Sequence, residues 1–213
     1  PVGLHALSYA HRGRSRTLVE VELATPASPG LTVLTGPSGA GKTTVLELLA
    51  GLRVPAAGSV VAPRASLASQ RPVLLPGTVR DNLLLVAPGD DSDGALVDRA
   101  GLDTDLGEDG FGLSAGQRAR LALARALLSD APLVLLDEPT ANVAAGSVPL
   151  LHRAVLELAA HRRVVAVTHD PDLAVLADDH WHLEPAPLDD PSGTTPAPTT
   201  PRGTPVDGAA RAL

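Results

Sequence analysis

Two patterns of apolar and polar positions predict two kinds of strand. Residues 18–23 alternate apolar and polar side chains from Val19 on, as a strand with one buried face does. Residues 31–35, 133–137 and 163–168 are short, mainly apolar runs, typical of parallel strands that helices cover on both faces. Shorter strands are predicted at 3–9, 58–61 and 65–70.

Helical patterns separate the apolar runs. They cover residues 43–50, 78–85, 114–129 and 148–160, and a further helix begins at 169–171. Thr78 and Ser114 stand where side-chain oxygens cap a helix start, and Pro171 suits a first helical turn. The alternation of strands and helices predicts an α/β fold.

Composition limits the size and kind of core. The chain has 213 residues, 44% of them hydrophobic but only 1% aromatic, so Leu, Val and Ala must fill one substantial α/β core. The net charge of −7 and the lack of basic clusters disfavour a nucleic-acid partner. The absence of cysteine excludes disulfides, and no apolar run approaches the roughly 20 residues that cross a bilayer. The aspartates of residues 89–94 are interpreted as a solvated turn.

One segment carries a phosphate-binding pattern. Residues 36–44 match G-x-x-x-x-G-K-[ST] between a predicted strand and a predicted helix, as the motif requires. Its glycines let backbone N–H groups point at an anion, and the helix start adds positive potential. Lys42 is the only lysine in the chain, and a compact ammonium suits a place among phosphate oxygens. The predicted nucleotide contacts are Gly36, Ser38, Gly39, Ala40, Gly41, Lys42, Thr43 and Thr44.

A second candidate site follows the apolar strand at 133–137. Asp137 and Glu138 stand at its carboxyl end, where open α/β sheets bind ligands. Alone, this is an ordinary strand end. Residues 113–117, Leu-Ser-Ala-Gly-Gln, precede it and change its interpretation.

With these motifs the chain resembles the ATP-binding domain of ABC transporters over residues 1–184. The matching features occur in the family's order: the phosphate loop, Gln70 as the Q-loop glutamine, residues 113–117 as the signature, residues 133–138 as Walker B and His169 as the switch histidine. The resemblance implies an α/β P-loop NTPase of the ABC ATPase type. Its central sheet would be mainly parallel, flanked by helices, with a small antiparallel β lobe and a shortened helical lobe at about 71–130. Residues 185–213, with seven prolines, are predicted to form a disordered tail.

The resemblance also implies ATP and Mg²⁺ as ligands, with a role for each motif. Thr43, Gln70 and Asp137 would hold Mg²⁺, and His11 would face the adenine. The catalytic set would be Lys42, Gln70, Glu138 and His169, with Glu138 orienting or deprotonating the attacking water. Ser114, Gly116 and Gln117 would contact a γ-phosphate bound by a second such domain, because a helix start is an anion site.

Two segments resemble exporters within the family. Residues 71–83 are similar to the stretch after the Q-loop of exporters, and residues 106–110 resemble their X-loop. A weaker resemblance links residues 101–116 to the heterodimeric thiol-reductant exporters of cytochrome bd assembly. The implied partners are a second ATP-binding domain, in a homodimer or heterodimer, and a transmembrane domain fused upstream or present as a separate subunit. The implied location is the cytoplasmic face of a bacterial cell membrane.

The sequence also departs from the family pattern. His11 stands where the adenine-stacking tyrosine is expected, Ala115 replaces a signature glycine, and Ala144 replaces the D-loop aspartate. The spacings from Lys42 to Gln70 and from Gln70 to Leu113 are also shorter than the family's. An ATP-hydrolysing exporter domain is the favoured interpretation. The alternatives are a regulatory ATP-binding half of a heterodimer and, less favoured, a soluble ABC ATPase outside transport.

Overall fold

The computed structural model describes residues 2–11, 16–86, 105–106 and 112–185. The predicted disordered tail, apart from its first residue, lies outside this range. So do the acidic segment 89–94 and nearly all of the segment that resembles the X-loop. In the described part of the chain, no helix is long and apolar enough to cross a membrane.

The described residues form ten β-strands and five α-helices. The strands are β1 (Gly3–Ala10), β2 (Arg16–Ala24), β3 (Gly30–Thr35), β4 (Ala57–Val61), β5 (Ala65–Ala68), β6 (Gly77–Thr78), β7 (Asp105–Leu106), β8 (Leu133–Asp137), β9 (Arg163–Val167) and β10 (Asp179–His182). The helices are α1 (Lys42–Leu49), α2 (Val79–Leu84), α3 (Ala115–Leu128), α4 (Val148–His161) and α5 (Pro171–Val175). A short 3₁₀ turn, Ala145–Ser147, precedes α4.

A five-stranded parallel sheet forms the centre, in the order β10-β3-β9-β8-β5. The side chains of β8 alternate between two apolar clusters. Leu133 and Leu135 pack in the cluster that contains α1, whereas Val134 and Leu136 pack in the cluster that contains α3 and α4. Every residue of β8 is buried, which explains why its sequence is a continuous apolar run. The predicted parallel sheet flanked by helices is confirmed.

A smaller antiparallel sheet, in the order β2-β1-β4, lies beside the central sheet. Its register shifts around Ala6 and Glu20, which adopt positive φ angles of 45° and 49° as residues in β-bulges do. The indole Nε1 of Trp181 on β10 donates to the carbonyl of Ala24, at 3.2 Å, and so joins the two sheets. The predicted antiparallel lobe is thereby confirmed.

The helices α2 and α3 pack together through a polar network inside an apolar cluster. Asn82 of α2 is fully buried, and its amide bonds the backbone of Leu75 and Thr78 at 2.9–3.0 Å. The Arg125 guanidinium of α3 donates to the Asn82 side chain at 2.6 Å and to the Asn82 and Val73 carbonyls. Burial lowers the pKa of Arg125. This network fixes α3 against the segment that precedes α2.

The same C-terminal end of α3 is also held to the central sheet. Arg162, just before β9, donates from its guanidinium to the carbonyls of Ala126 and Leu127 at 2.8 Å and to that of Ser129. These are carbonyls at the end of α3, where a helix leaves its acceptors without intrahelical partners and its dipole attracts a cation.

The element bounds agree with the sequence with a few corrections. β10 was not predicted, and it forms because it pairs in parallel with β3 at the edge of the sheet. β5 ends at Ala68 instead of Gln70, and β9 ends at Val167 instead of Thr168. Both predicted capping residues, Thr78 and Ser114, form reciprocal capping boxes with the third residue of their helices.

Candidate functional site

The candidate site lies at the carboxyl edge of the central sheet. The phosphate loop follows β3, Asp137 ends β8, and His169 comes two residues after β9. Since β3, β9 and β8 are neighbours in one parallel sheet, their carboxyl ends meet. Segments more than a hundred positions apart in the sequence are therefore brought to one place.

The phosphate loop has the backbone of an anion cradle. Gly39 and Gly41 adopt left-handed φ angles of 83° and 99°, and the space where a side chain of Gly39 would stand is open. No side chain caps the start of α1, so its first N–H groups remain for a ligand. Lys42 is 8% exposed, and its Nζ donates to the carbonyls of Gly36 and Pro37 at 2.8 and 3.0 Å, which folds the ammonium over the loop. These features fit a bound phosphate chain.

A hydroxyl and a carboxylate face each other beneath the loop. Thr43 Oγ1 donates to Asp137 Oδ2 at 3.0 Å. Burial raises the pKa of Asp137 above its ordinary value, against the hydrogen bond from Thr43, which lowers it. Among the residues that the structure describes, no cluster of three or more His, Asp or Glu side chains could hold a metal by itself. The pair nevertheless fits Mg²⁺, which commonly takes one or two protein oxygens and completes its shell with water and substrate phosphates.

Glu138 and His169 form the polar pair next to this site. Glu138 has a φ angle of 53°, unusual for a glutamate, and its Oε1 lies 3.4 Å from Nε2 of His169. Its Oε2 accepts from the His169 backbone N–H at 3.3 Å. Burial raises the pKa of Glu138, although the nearby His169 opposes that rise. The imidazole is 63% exposed, so it can reach a ligand in front of the sheet.

A cleft of about 460 Å³ opens beside the two carboxylates. Gln70 lines it together with Asp137 and Glu138, and Ala115 and Arg118 line it from the start of α3. The predicted Q-loop glutamine and the predicted Walker B carboxylates thus share one solvent-filled space. Arg118 is a cationic group of this cleft that the motifs did not single out.

The signature residues hydrogen-bond to each other. Ser114 Oγ accepts from the Gln117 backbone N–H at 3.2 Å, and Gln117 Oε1 accepts from the Ser114 backbone N–H at 2.7 Å. A side chain at Gly116 would meet Val143 at 3.6 Å. The signature therefore packs close to the predicted D-loop of the same chain, at 141–144.

His11 lies beside Thr44, at the C-terminal end of the phosphate loop. Its Nε2 is 3.4 Å from the Thr44 hydroxyl, and the Tyr9 ring stands edge-on to it at 5.1 Å. The Arg53 guanidinium lies 5.6 Å from the Tyr9 ring centre and donates to the phenol oxygen at 2.8 Å. Tyr9 is held by these contacts, which leaves His11 as the ring beside Thr44.

A group of residues behind the site was missed. Asp170 accepts from His152 of α4 at 2.7 Å and caps α5. Burial raises the pKa of Asp170, but hydrogen bonds from His152, the Leu173 backbone and Thr140 outweigh it, so the pKa lies below its ordinary value. The sequence could have indicated the cap, because Asp170 precedes Pro171, but no spacing rule joins it to His152.

Comparison with known proteins identifies relatives of this arrangement. The family model described as ABC transporter matches residues 27–141. The mycobactin import ATP-binding/permease protein IrtB of Mycolicibacterium thermoresistibile is 43% identical over 136 residues, which cover 51% of this chain and 24% of the relative. The glutathione/L-cysteine transport system ATP-binding/permease protein CydC of Escherichia coli is 35% identical over 179 residues, which cover 72% and 31%. The chain thus spans about a quarter to a third of these relatives.

A solved structure gives the same fold. A bacterial Atm1-family ABC exporter with ATP bound superposes with a TM-score of 0.78 at 22% identity, over 87% of this chain and 38% of that chain. At that identity the match speaks for the fold alone. The CydC match, together with a 36% identical CydD protein of Haemophilus influenzae, confirms the resemblance to thiol-exporter proteins, since both relatives are named as parts of a glutathione/L-cysteine transport system.

Proposed function

Because the chain belongs to the ABC transporter family and is homologous to its ATP-binding/permease proteins, we propose that it binds and hydrolyses ATP to power an exporter-type transporter. The observation that carries the proposal is the pair Glu138 and His169 beside the phosphate loop. A half-buried carboxylate with a raised pKa, next to an exposed imidazole, suits a group that orients or deprotonates a water.

Each residue of the site has a task in this proposal. The N–H groups of the phosphate loop and the Lys42 ammonium bind the phosphates of ATP and stabilise negative charge on them. The Lys42 ammonium has three N–H donors, and since two of them bond the carbonyls of Gly36 and Pro37, the third remains for a phosphate oxygen. His11 stands beside Thr44 to contact the base.

Thr43, Asp137 and Gln70 are proposed to hold Mg²⁺. When bound, the ion would neutralise charge on the phosphates. The Thr43 hydroxyl donates its proton to Asp137, and its oxygen lone pairs would be available to the ion. Gln70 follows β5 and lines the same cleft, so its position would change when Mg²⁺ binds, and this change would pass to the adjoining segment at 71–78.

A second copy or a related domain is proposed to complete the site. Ser114, Gly116 and Gln117 stand at the N-terminus of a 14-residue helix, where the dipole favours an anion. In the proposed dimer these residues face the γ-phosphate held by the other domain. The transmembrane domain, the cytoplasmic face of the membrane as the location, and export as the direction belong to the same proposal. Export is favoured by the exporter-like segment at 71–83, although the IrtB relatives are named for import.

The first experiment measures Mg²⁺-dependent ATP hydrolysis by the purified chain over a range of protein concentrations. Glu138→Gln removes the proposed water-orienting carboxylate, and Glu157→Gln, an exposed glutamate of α4, is the matched control. We expect specific activity that rises with concentration, vanishes in Glu138→Gln and is unchanged in Glu157→Gln. Equal activity in wild type and Glu138→Gln at every concentration would overturn the proposal.

A second candidate function is a regulatory half that binds ATP while its partner hydrolyses it. The observation in its favour is Ala144, which stands where the family has a D-loop aspartate, next to the Val143 that packs close to Gly116. ATP binding without turnover at any concentration, with turnover appearing in Ala144→Asp, would favour this candidate.

A further inference from the structure

A histidine–aspartate pair lies directly behind the candidate site. His152 Nε2 and Asp170 Oδ2 are 2.7 Å apart, and their side chains are only 13% and 15% exposed. His152 belongs to α4, whereas Asp170 belongs to the segment that follows β9. The pair therefore joins two elements that are adjacent in space but 18 residues apart in sequence.

The two oxygens of Asp170 serve different partners. Oδ1 accepts from the backbone N–H groups of Asp172 and Leu173, at 3.0 and 3.3 Å, and so caps α5. Oδ2 accepts from His152. Oδ1 makes the cap of α5, so Oδ2 is left to connect this segment to α4 through His152.

The pair is connected to both candidate catalytic groups. Asp170 directly follows His169, whose backbone N–H donates to Glu138. Thr140, two positions after Glu138, lies close enough to Asp170 to lower the pKa of that carboxylate. Glu138 donates its own N–H to the carbonyl of Val167 at 2.9 Å. These contacts connect Glu138 with the segment that carries His169 and Asp170.

His152 links Asp170 to α4. Residues 141–147 lead from Thr140 to the start of α4, so the D-loop segment has one end at Thr140 and the other at the helix that carries His152. Asp170 contacts His152 at one of these ends and lies near Thr140 at the other. Leu151 of α4 and Leu173 of α5 also lie in one apolar cluster, which packs the two helices together.

We propose that His152 is a positioning residue: through Asp170 it fixes the His169 imidazole and the D-loop segment relative to Glu138. This inference rests on the proposed ATPase function. His152 itself touches neither ATP nor the attacking water. Its loss leaves the phosphate loop intact and displaces His169, so turnover falls while nucleotide affinity stays.

The test compares His152→Leu with His152→Gln in the full chain. Leucine has a similar volume and no donor, whereas the glutamine amide can still donate to Asp170. His161→Leu, at an exposed histidine at the end of the same helix, is the control. We expect kcat to fall about tenfold in His152→Leu, since small misplacements of catalytic groups cost one to two orders of magnitude. The Kd for ATP stays within about twofold, and His152→Gln restores most of the rate.

A second readout does not depend on turnover. The imidazole NMR resonances of His169, assigned with His169→Ala, are expected to shift or broaden in His152→Leu and to return in His152→Gln. If His152→Leu does not fold, His152→Asn replaces it, because its shorter amide cannot reach Asp170.

The two readouts separate the inference from the proposed function. A wild-type chain without turnover defeats the proposed function, and the His169 resonances still decide on His152. Unchanged kcat in His152→Leu, or unchanged His169 resonances, overturns the inference. A rate that falls equally in His152→Leu and His152→Gln also overturns it, because the hydrogen bond would then not be the cause.

Discussion

Replacing Asn82 by leucine tests the polar network that holds α3 against the segment before α2. The side chain is fully buried, and leucine resembles it in shape but can neither donate nor accept. The substitution leaves the Leu75 N–H, the Leu75 carbonyl and the Thr78 carbonyl without their partner and removes one acceptor from Arg125. The damage is confined to the region around α2.

The magnitude follows from those contacts. A buried group left without its partner costs about 1–3 kcal/mol. Leu75 is half-exposed, so water can replace part of what its backbone loses. Taking the low end for each of the three backbone groups gives about 3 kcal/mol of unfolding free energy, a large share of the stability of an ordinary domain.

The assay uses the position of the single tryptophan. Trp181 lies on β10 in the central sheet, so its fluorescence reports that sheet, whereas far-UV circular dichroism also reports α2 and α3. In urea we expect the dichroism transition of Asn82→Leu to move to lower concentration and to separate from the fluorescence transition. Separate transitions by two probes indicate that unfolding is no longer two-state.

The control is Arg80→Gln, an exposed change on the same helix, which we expect to alter stability by less than about 0.5 kcal/mol. Coincident transitions in Asn82→Leu, with a loss below about 1 kcal/mol, would refute the assigned role of the network.

Three further outcomes are expected. Burial raises the pKa of Asp137, so its contribution to folding stability is present below the ordinary pKa of 3.8 and is lost as pH rises through the raised value. Without ligand, Asp137→Asn should therefore melt at a higher temperature than wild type at pH 7, and the difference should shrink toward pH 3.8. The same variant should lose ATPase activity. In Gly36→Ala the new Cβ would lie 2.3 Å from the Leu183 carbonyl oxygen, at a φ of 146°, so we expect a loss of about 1–3 kcal/mol in thermal unfolding and weaker ATP binding in calorimetry. Trp181→Phe removes the hydrogen bond to Ala24 that joins the sheets, and we expect urea denaturation followed by circular dichroism to report a cost of about 1 kcal/mol.

Local signals in the sequence were sufficient for most elements of the fold. Continuous apolar runs predicted β8 and β9 because both faces of those strands are buried, and Ser114 predicted the start of α3 because its side chain caps that helix. β10 escaped because only Trp181 of its four residues is buried. Its pairing with β3 is a long-range contact that no local pattern encodes.

The residues of the candidate site also divide into those with a local signal in the sequence and those placed by long-range contacts. The phosphate loop and Asp137 are recognisable because their chemistry requires fixed residue types at fixed spacings. The contact of His152 with Asp170 depends instead on how α4 packs. Arg125 also had a local signal: it stands four positions after the buried Leu121, so helical spacing puts a cation on the apolar side of α3.

The clamp that Arg162 forms at the end of α3 makes that helix a lever. Its far end carries Ser114, and the 14 residues between them span about 21 Å at 1.5 Å each. A rotation of about 10° around the clamped end therefore carries the signature through roughly 3–4 Å, about the length of a hydrogen bond. A movement that barely disturbs the packing near Arg162 would be enough to make or break the contact that Ser114 is proposed to form with a phosphate at the other end.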